Sequence, residues 1–468
     1  MSFYAQKILE KSDEKGMFHF QNFAIDLKYC LSSFVEPEFD GSDIDTFENA
    51  VELRSIMIHE YQHFLDATHT VWGIDYLFDL EHAYSHFDDI ERLQNESQFI
   101  VLMQIYEKLN SIVLPSYYKL NFYNKDNKLE KDLLKVEPTI GNIFNKYGEV
   151  NYNNPCSFVN FYQKGQRLLR SPISIIALLE CSAVLEEICY RYGAILNELQ
   201  DHDLHRIISE RKLKKHIDDL IYNPDLSEYS CLFLLLSNKI KNFKILENFI
   251  ISKMLINICL NFTSEHFSIL LSSQFMFYLE SKCNPHIDGG DFFRKLSLGL
   301  KTEDRGMLFL AFYCLLPDDR ELKNPKECIS IINTILNSIR DDLDYDILLS
   351  EARKYIERTS STLEGTSVSY ISKVAKSIKY NLNIIYGLED DSNEFIKNIF
   401  NGPKLSLMDL PTCTMDDMNT IGLYTGEEDM TDPKWNLKFS DIDCIEQDIN
   451  DLSERFLKIE KFVEACIS

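Results

Sequence analysis

Apolar residues recur every three to four positions along most of this chain, which is the spacing of one face of an α-helix. The strongest segment of this kind runs from Ile173 to Leu199. Further segments with the same spacing lie at roughly 203–221, 239–262, 267–282, 305–316, 326–340, 344–359, 366–386 and 446–466. The pattern therefore predicts that helices dominate the chain from Pro172 onward.

Residues 17–38 show a different pattern, rich in aromatic and β-branched side chains. This composition predicts one or two strands, which Pro37 and Gly41 close. A helix is expected to follow directly, because Asp45 and Glu48 have the spacing of a capping box.

The helix that begins near Asp45 should end at about Ala67, and residues 75–113 carry further helical spacing. Residues 121–155 are polar and contain Pro, Gly and Asn, which predicts a loop or a small β excursion. Residues 402–440 are rich in Pro, Gly, Thr and Asp, and predict an irregular crossing segment before the last helix. The predicted fold class is mainly α, formally α+β, with a small sheet near the N-terminus.

Composition narrows the choice of partners. The chain has 468 residues, 45% of them hydrophobic, which is enough for two or three packed units. Its net charge of −26 would repel phosphate backbones. We therefore expect no nucleic acid partner, whereas a protein or peptide substrate, and a basic one most easily, is compatible with this charge.

The sequence also indicates a compartment. The N-terminal stretch MSFYAQKILEKSDEKG has no apolar signal core, and the apolar run from Phe249 to Leu260 is shorter than the ~20 residues of a membrane-spanning helix. The twelve cysteines are scattered without a C-x-x-C pair, which suits a reducing environment. We therefore expect a cytoplasmic protein that does not enter a membrane.

One motif carries chemistry. The stretch from Ser55 to Asp66, SIMIHEYQHFLD, places His59 and His63 one turn apart on the same helix face, with Glu60 beside the first. Both imidazoles can then point at one metal ion, and the carboxylate can reach a water bound to that ion. Zinc lowers the pKa of such a water to roughly 7, and the carboxylate accepts its proton during attack on a carbonyl.

Together with the preceding strand and a later helical glutamate, this motif resembles the zincin metallopeptidases. The resemblance covers the N-terminal region and one distant helix, and it implies a zincin-like core that hydrolyses peptide bonds. In the gluzincin branch the third zinc ligand is a Glu on a later helix, often followed by a small residue and then Ala. The segment Leu178–Ala183, LLECSA, resembles that pattern and implies Glu180 as the third ligand.

Other residues remain candidates for the third ligand. Glu187 lies one heptad after Glu180 on the same predicted helix face. Glu364, in the sequence LEGTS, is also followed by small residues. His69 follows the second motif histidine by six residues, as the third histidine of the metzincins does, but Asp66 occupies the position of their glycine.

Further side chains are candidates for supporting roles. Asp66 could hydrogen-bond a ligand imidazole. His82 and His86 form another i, i+4 pair, although no glutamate stands beside them in the arrangement of a zinc site. The group that would polarise a substrate carbonyl stays open among Tyr190, Tyr192, His205 and Tyr370.

Two other classes of protein fit part of the pattern. The Glu60-x-x-His63 element also occurs in di-iron carboxylate bundles, which need a second E-x-x-H on another helix. The nearest substitutes in this chain are Asp66-x-x-His69 and Asp79-x-x-His82. The other class is a non-enzymatic helical interaction protein with a structural metal site, although structural zinc sites are closed and cysteine-rich.

The sequence therefore predicts a zinc metallopeptidase that binds Zn²⁺ through His59, His63 and Glu180 and uses Glu60 as the catalytic base. Three parts are expected along the chain: a zincin-like core at 1–200, a helical lid, regulatory or substrate-docking region at 201–400, and an irregular segment with a C-terminal helix at 401–468. A regulatory protein partner is compatible with the second part.

Overall fold

The computed structural model describes the chain in segments, and every structural statement below concerns them: residues 16–27, 44–93, 97–110, 112, 114, 116–121, 129–145, 148–200, 202–241, 244–283, 289–317, 325–385, 412–415, 420–425, 435–438 and 442–467. Most of these residues are helical, which confirms the mainly α fold class.

Helices and strands are numbered here in chain order. The helices are α1 (Ile44–Thr68), α2 (Val71–Leu93), α3 (Ser97–Asn110), α4 (Ile175–Glu198), α5 (Asp203–Ile221), α6 (Ser227–Lys239), α7 (Ile245–Asn261), α8 (Ser264–Leu271), α9 (Gln274–Cys283), α10 (Gly289–Lys301), α11 (Arg305–Leu315), α12 (Pro325–Asn337), α13 (Tyr345–Leu363), α14 (Ser369–Ile385) and α15 (Ile442–Ile467). The strands are β1 (Gly16–His19), β2 (Ala24–Leu27), β3 (Leu120–Asn121), β4 (Leu134–Phe144), β5 (Val150–Gln163), β6 (Gln166–Pro172), β7 (Thr412–Met415), β8 (Thr420–Thr425) and β9 (Trp435–Lys438).

Most predicted helices are confirmed, and the differences lie where caps interrupt an apolar run. The helix expected at 239–262 starts only at Ile245, where the carboxylate of Glu247 accepts a hydrogen bond from the backbone N–H of Lys244 at 2.7 Å. The helix expected at 267–282 is divided into α8 and α9, and Thr263 caps the first of them by accepting a hydrogen bond from the backbone of His266. Helices α6 and α10 were not predicted.

The chain forms two compact units, each assembled from separate stretches. The first contains residues 1–111, 186–214 and 353–468, and the second contains residues 112–185 and 215–352. The three-part division expected from the sequence stays a prediction, because compactness alone does not show which parts fold independently.

The first unit contains a five-stranded sheet with the order β1-β2-β7-β8-β9. Strands β1 and β2 form an antiparallel pair that confirms the strands predicted within 17–38, while Pro37 and Gly41 lie outside the described residues. Strand β2 then pairs in parallel with β7, matching Ile25 with Cys413. The expectation of an irregular segment at 402–440 was wrong for the residues of this range that the structure describes, which form β7, β8 and β9.

Helices cover this first unit through buried apolar faces. On α15, Leu452, Ile459 and Val463 are buried and recur at helical spacing. This helix packs on α2, where Arg455 forms an ion pair with Asp88 at 2.8 Å. The last helix of the chain is thereby fixed beside the helix that follows α1.

The second unit contains a four-stranded antiparallel sheet with the order β3-β6-β5-β4. The turn between β5 and β6 is formed by Lys164 and Gly165, which both have positive φ angles, of 52° and 78°. Two such residues are what a tight two-residue hairpin requires. Residues 121–155 thus contribute β4 and the first part of β5 to this four-stranded sheet, which is larger than the loop or small β excursion expected from the sequence.

Helices of the second unit surround a core in which α7 is almost entirely buried. Arg305 is buried and donates hydrogen bonds from Nη1 to the carbonyl oxygens of Cys259 and Phe262, at 2.5 and 3.0 Å. Free thiols are found at Cys156, Cys181, Cys189, Cys231, Cys259, Cys283, Cys314 and Cys328. No single helix among the described residues has the length and apolarity of a membrane span, although the helix pair 247–261 and 264–271, bent by 100°, meets those criteria jointly.

Candidate metal centre

Helix α1 presents the HExxH residues as its pattern predicts. His59, Glu60 and His63 are all buried, with 9%, 7% and 5% of their surface exposed. The imidazole rings of His59 and His63 lie one turn apart, with 5.1 Å between their centroids and nearly perpendicular planes. A helix flanked by apolar residues on other faces thus keeps two histidines on one side, shielded from water.

A carboxylate completes this group. His59, His63 and Glu180 each offer a ligand atom within 4.8 Å of the other two, and all three residues are buried. Two neutral imidazoles and one carboxylate can together hold a metal ion. The structure therefore brings together the three residues that the sequence singled out, and among the described residues this is the one group of metal-binding type.

Glu187, the alternative ligand on the same helix, contacts a histidine of this group. Its Oε2 lies 3.4 Å from Nδ1 of His59, and its Oε1 lies 3.0 Å from Nη2 of Arg191. All three side chains are largely buried. Glu187 thus stands behind one imidazole, where a carboxylate orients a metal-binding ring.

The first strand forms another wall of the centre. The ring of Phe18 stacks on His63 with 6.3 Å between centroids, and Phe20 lies 6.2 Å from the same imidazole. Gly16 lies so close to α1 that an added Cβ would be 2.8 Å from Cγ and Oε1 of Glu60. A glycine at this position therefore allows the strand to approach the glutamate.

The remaining ligand candidates are engaged elsewhere. Nδ1 of His69 lies 2.7 Å from the hydroxyl of Thr68, and burial lowers the pKa of His69 to about 3, so the ring is neutral. Glu364 forms an ion pair with Lys379 at 3.3 Å. Neither residue belongs to the metal-binding group.

The candidates for supporting roles also have defined surroundings. Asp66 is buried and accepts a hydrogen bond from Nε2 of Gln62 at 2.8 Å. Nδ1 of His86 lies 2.7 Å from the carbonyl of His82, so this second histidine pair is tied to its own helix.

Tyr190, one of the candidates for polarising a substrate carbonyl, interacts with Arg54 in the first unit. Burial raises the pKa of Tyr190, and the charge of Arg54 and a hydrogen bond to it oppose that rise. The choice of a carbonyl-polarising residue among Tyr190, Tyr192, His205 and Tyr370 stays a prediction.

The sequence did not single out Gly16, Phe18, Phe20 or Arg191. The aromatic residues were recognised only as parts of a strand, since nothing in their spacing points to α1. Arg191 follows Glu187 by four residues, and that i, i+4 spacing is the signal that could have identified it.

Comparisons of the chain with protein-family models, with curated proteins and with solved structures gave no match.

Proposed function

We propose that this chain is a zinc-dependent peptidase of the gluzincin type, in which His59, His63 and Glu180 hold the metal. The observation that carries the proposal is the buried group of two histidines and one glutamate, with Glu60 next to the first histidine on the same helix. This ligand set is that of zinc peptidases with three protein ligands and an open fourth position.

The donor atoms fit the proposed ion. Around a tetrahedral zinc with bonds of roughly 2.0–2.2 Å, neighbouring ligand atoms lie roughly 3–4 Å apart. The three ligand atoms lie within 4.8 Å of one another, so modest side-chain rotations would bring them to that spacing. Zinc in such a site supplies Lewis-acid chemistry, lowering the pKa of a water and polarising a carbonyl.

The chain's own residues would perform the proton transfers. Glu60 accepts a proton on a carboxylate oxygen from the attacking water and later delivers it to the nitrogen of the leaving amine. Its burial at 7% exposure keeps competing water away from that oxygen. Glu187 holds the imidazole of His59 in orientation, and the Phe18 ring does the same for His63.

The donor set favours catalysis over the two other classes of protein. Structural zinc sites are usually closed by four ligands rich in cysteine. Here three ligands come from His and Glu, and no cysteine belongs to the group. A di-iron bundle needs two E-x-x-H elements facing each other, whereas the group found among the described residues has both histidines on one helix and a single carboxylate.

The test compares wild type with Glu60→Gln. Metal analysis of protein purified without added metal should find one zinc per chain in both, because the three ligands remain. New protein termini, identified by mass spectrometry, should appear in a cell lysate treated with the wild-type protein. Their rate of appearance should be lower by ~10²–10⁴-fold with the variant.

Glu52→Gln is the matched control, since it makes the same change eight residues earlier on α1. It should cleave at the wild-type rate. Two irons per chain would support the di-iron alternative. A Glu60→Gln protein that holds zinc and cleaves at the wild-type rate would refute the proposed mechanism.

A further inference from the structure

Helix α5 exposes a stripe of large side chains on its outer face. Leu204, Ile207 and Ile208 expose 69%, 44% and 37% of their surface, although each is aliphatic. They lie at positions i, i+3 and i+4, which places them side by side on one helix face. Three adjacent exposed aliphatic side chains form a contiguous apolar patch, unlike a single exposed leucine.

Cations continue the same face of the helix. Arg211, Lys214 and Lys215 are exposed and repeat the spacing of the three aliphatic residues one heptad later. The opposite face, with Ser209, Leu213 and Ile217, is buried. The six residues, here called the α5 stripe, extend over roughly 17 Å at 1.5 Å per residue.

The three cations of the α5 stripe differ from the other cations of this helix in their ion pairing. Other cations of α5 are already paired, since Arg206 contacts Asp203 and Lys212 contacts Glu48. The structure shows no ion pair, within the part of the chain it describes, for the three stripe cations. In a chain of net charge −26, a local group of unpaired cations is a distinct feature of the surface.

We propose that the α5 stripe binds an acidic amphipathic helix of a partner protein. Apolar side chains of that helix would cover Leu204, Ile207 and Ile208, and its carboxylates would pair with the three cations. The stripe repeats the same i, i+3, i+4 pattern after seven residues, which is the repeat with which two packed helices contact each other. Its apolar residues lie in the N-terminal turns and its cations in the turns that follow. This inference does not depend on the metal centre.

An anionic membrane fits the stripe less well. A membrane surface presents its negative charge to the whole facing side of the protein, and the net charge of −26 would be repelled. A short acidic helix interacts with charges only within the Debye length of about 8–10 Å, so the local cations dominate.

Photo-crosslinking in the cells that produce the protein identifies the partner that binds the α5 stripe. The full chain carries the photo-crosslinking change Leu204→p-benzoylphenylalanine, and Phe277→p-benzoylphenylalanine is the control, because Phe277 is an exposed aromatic residue of the second unit. Mass spectrometry of the crosslinked peptides should find one protein segment, negatively charged and amphipathic, that appears with Leu204 and not with Phe277.

A synthetic peptide of that segment then tests the charges. Its affinity for R211E/K214E/K215E should be at least about tenfold weaker than for wild type and should fall with salt. The control K301E/K326E/K354E makes the same change in net charge at exposed lysines elsewhere and should bind within about twofold of wild type.

Several results would overturn the proposal: crosslinks to lipid, crosslinks to a second copy of this chain, no segment beyond those found with Phe277, or a segment that binds R211E/K214E/K215E as tightly as wild type. Sedimentation with vesicles of phosphatidylserine and phosphatidylcholine provides a separate measurement. Binding to these vesicles that is lost in R211E/K214E/K215E would assign the stripe to a membrane surface instead.

Discussion

Nδ1 of His59 lies 3.4 Å from Oε2 of Glu187, so that the carboxylate faces one of the two nitrogens of this imidazole. A hydrogen on Nδ1 that points at the carboxylate leaves the lone pair on Nε2. Arg191 contacts the other oxygen of the same carboxylate at 3.0 Å, which restrains Glu187 in turn. The ring of His59 thus adjoins a chain of two further buried side chains, which we expect to orient it.

We predict that Glu187→Gln weakens metal binding without abolishing it. The amide is a poorer acceptor for the imidazole N–H, and loss of such a partner typically costs about 10–100-fold in metal affinity. Zinc affinity, measured by competition with a chromogenic chelator, should fall by that factor. Glu198→Gln, an exposed change on the same helix, should bind zinc as wild type does.

The cobalt-substituted protein gives a second measurement of the same role. The visible spectrum of Co²⁺ should shift in Glu187→Gln, because the ring of His59 is held less firmly, and Glu187→Asp should restore part of the wild-type spectrum. Unchanged affinity and spectrum in Glu187→Gln would show that this carboxylate does not orient the ring. A wild-type protein without metal affinity would instead count against the metal centre itself.

Gly16→Val is expected to impair the catalytic step while leaving metal binding intact. A Cβ at this position would lie 2.8 Å from Cγ and Oε1 of Glu60, so the glutamate must move. Displacement of a catalytic group by about 1 Å can cost about 100-fold in rate. We expect kcat to fall by about 10–100-fold at unchanged zinc content.

Met17→Val is the control for this change, because Met17 is the next residue of β1 and is only half-buried. It should leave cleavage and zinc content close to wild type. Equal losses of activity in both variants would mean that the strand, and not its approach to Glu60, is responsible.

Gly306→Ala should destabilise the second unit strongly. A Cβ at this position would lie 1.9 Å from the carbonyl oxygen of Ile173, a backbone atom that cannot rotate away. We expect the free energy of unfolding to fall by about 2–4 kcal/mol, measured by urea denaturation. Gly290→Ala, where a Cβ meets no atom within 4 Å, should be neutral or stabilising by up to about 1 kcal/mol.

Asp304→Asn should change the pH dependence of stability. Asp304 caps α11 by accepting a hydrogen bond from the backbone of Met307 at 2.7 Å, and burial raises its pKa to about 6. Because the folded-state pKa exceeds the unfolded value, the folded state binds more protons between pH 4 and 6. The stability of the wild-type protein therefore falls as the pH rises through this interval.

Asparagine caps a helix about as well as aspartate but does not titrate. The free energy of unfolding of wild type, relative to Asp304→Asn, should decrease by on the order of 2–3 kcal/mol from pH 4 to pH 7. Parallel pH profiles for the two proteins would show that the carboxyl of Asp304 titrates normally.

Local signals in the sequence were sufficient to predict α1 and the position of its two histidines on one face. The apolar face of 45–67 defines this helix, and i, i+4 geometry then fixes His59 and His63 on one side. The capping box expected from Asp45 and Glu48 was not confirmed, because the helix already begins at Ile44 and the carboxylate of Glu48 contacts Ser209 and Lys212. Glu180 was reached through a resemblance to a known pattern. No local rule brings it to α1, which takes the tertiary packing of the chain.

The sheet of the first unit could not be predicted in the same way. Strands β7 and β9 have four residues each, and their surroundings are rich in turn-forming residues. Their strand conformation depends on neighbours in the sheet, since β7 pairs with β2 and β8 while β9 pairs with β8, so neither periodicity nor composition within 402–440 reveals it. The contact of Glu187 with Nδ1 of His59 was equally hidden, because it depends on how two helices pack.

The parallel pairing of Ile25 with Cys413 has a consequence for biosynthesis. Roughly 390 residues separate these two strands, and a ribosome adds that length in roughly 20–80 s. During this interval β2 has emerged while its neighbour β7 has not been made, so one edge of the nascent sheet stays without its final partner. The sheet of the unit that contains α1 can therefore close only after residue 415 has been made, and a nascent chain that stops before residue 412 lacks the strand that pairs with β2.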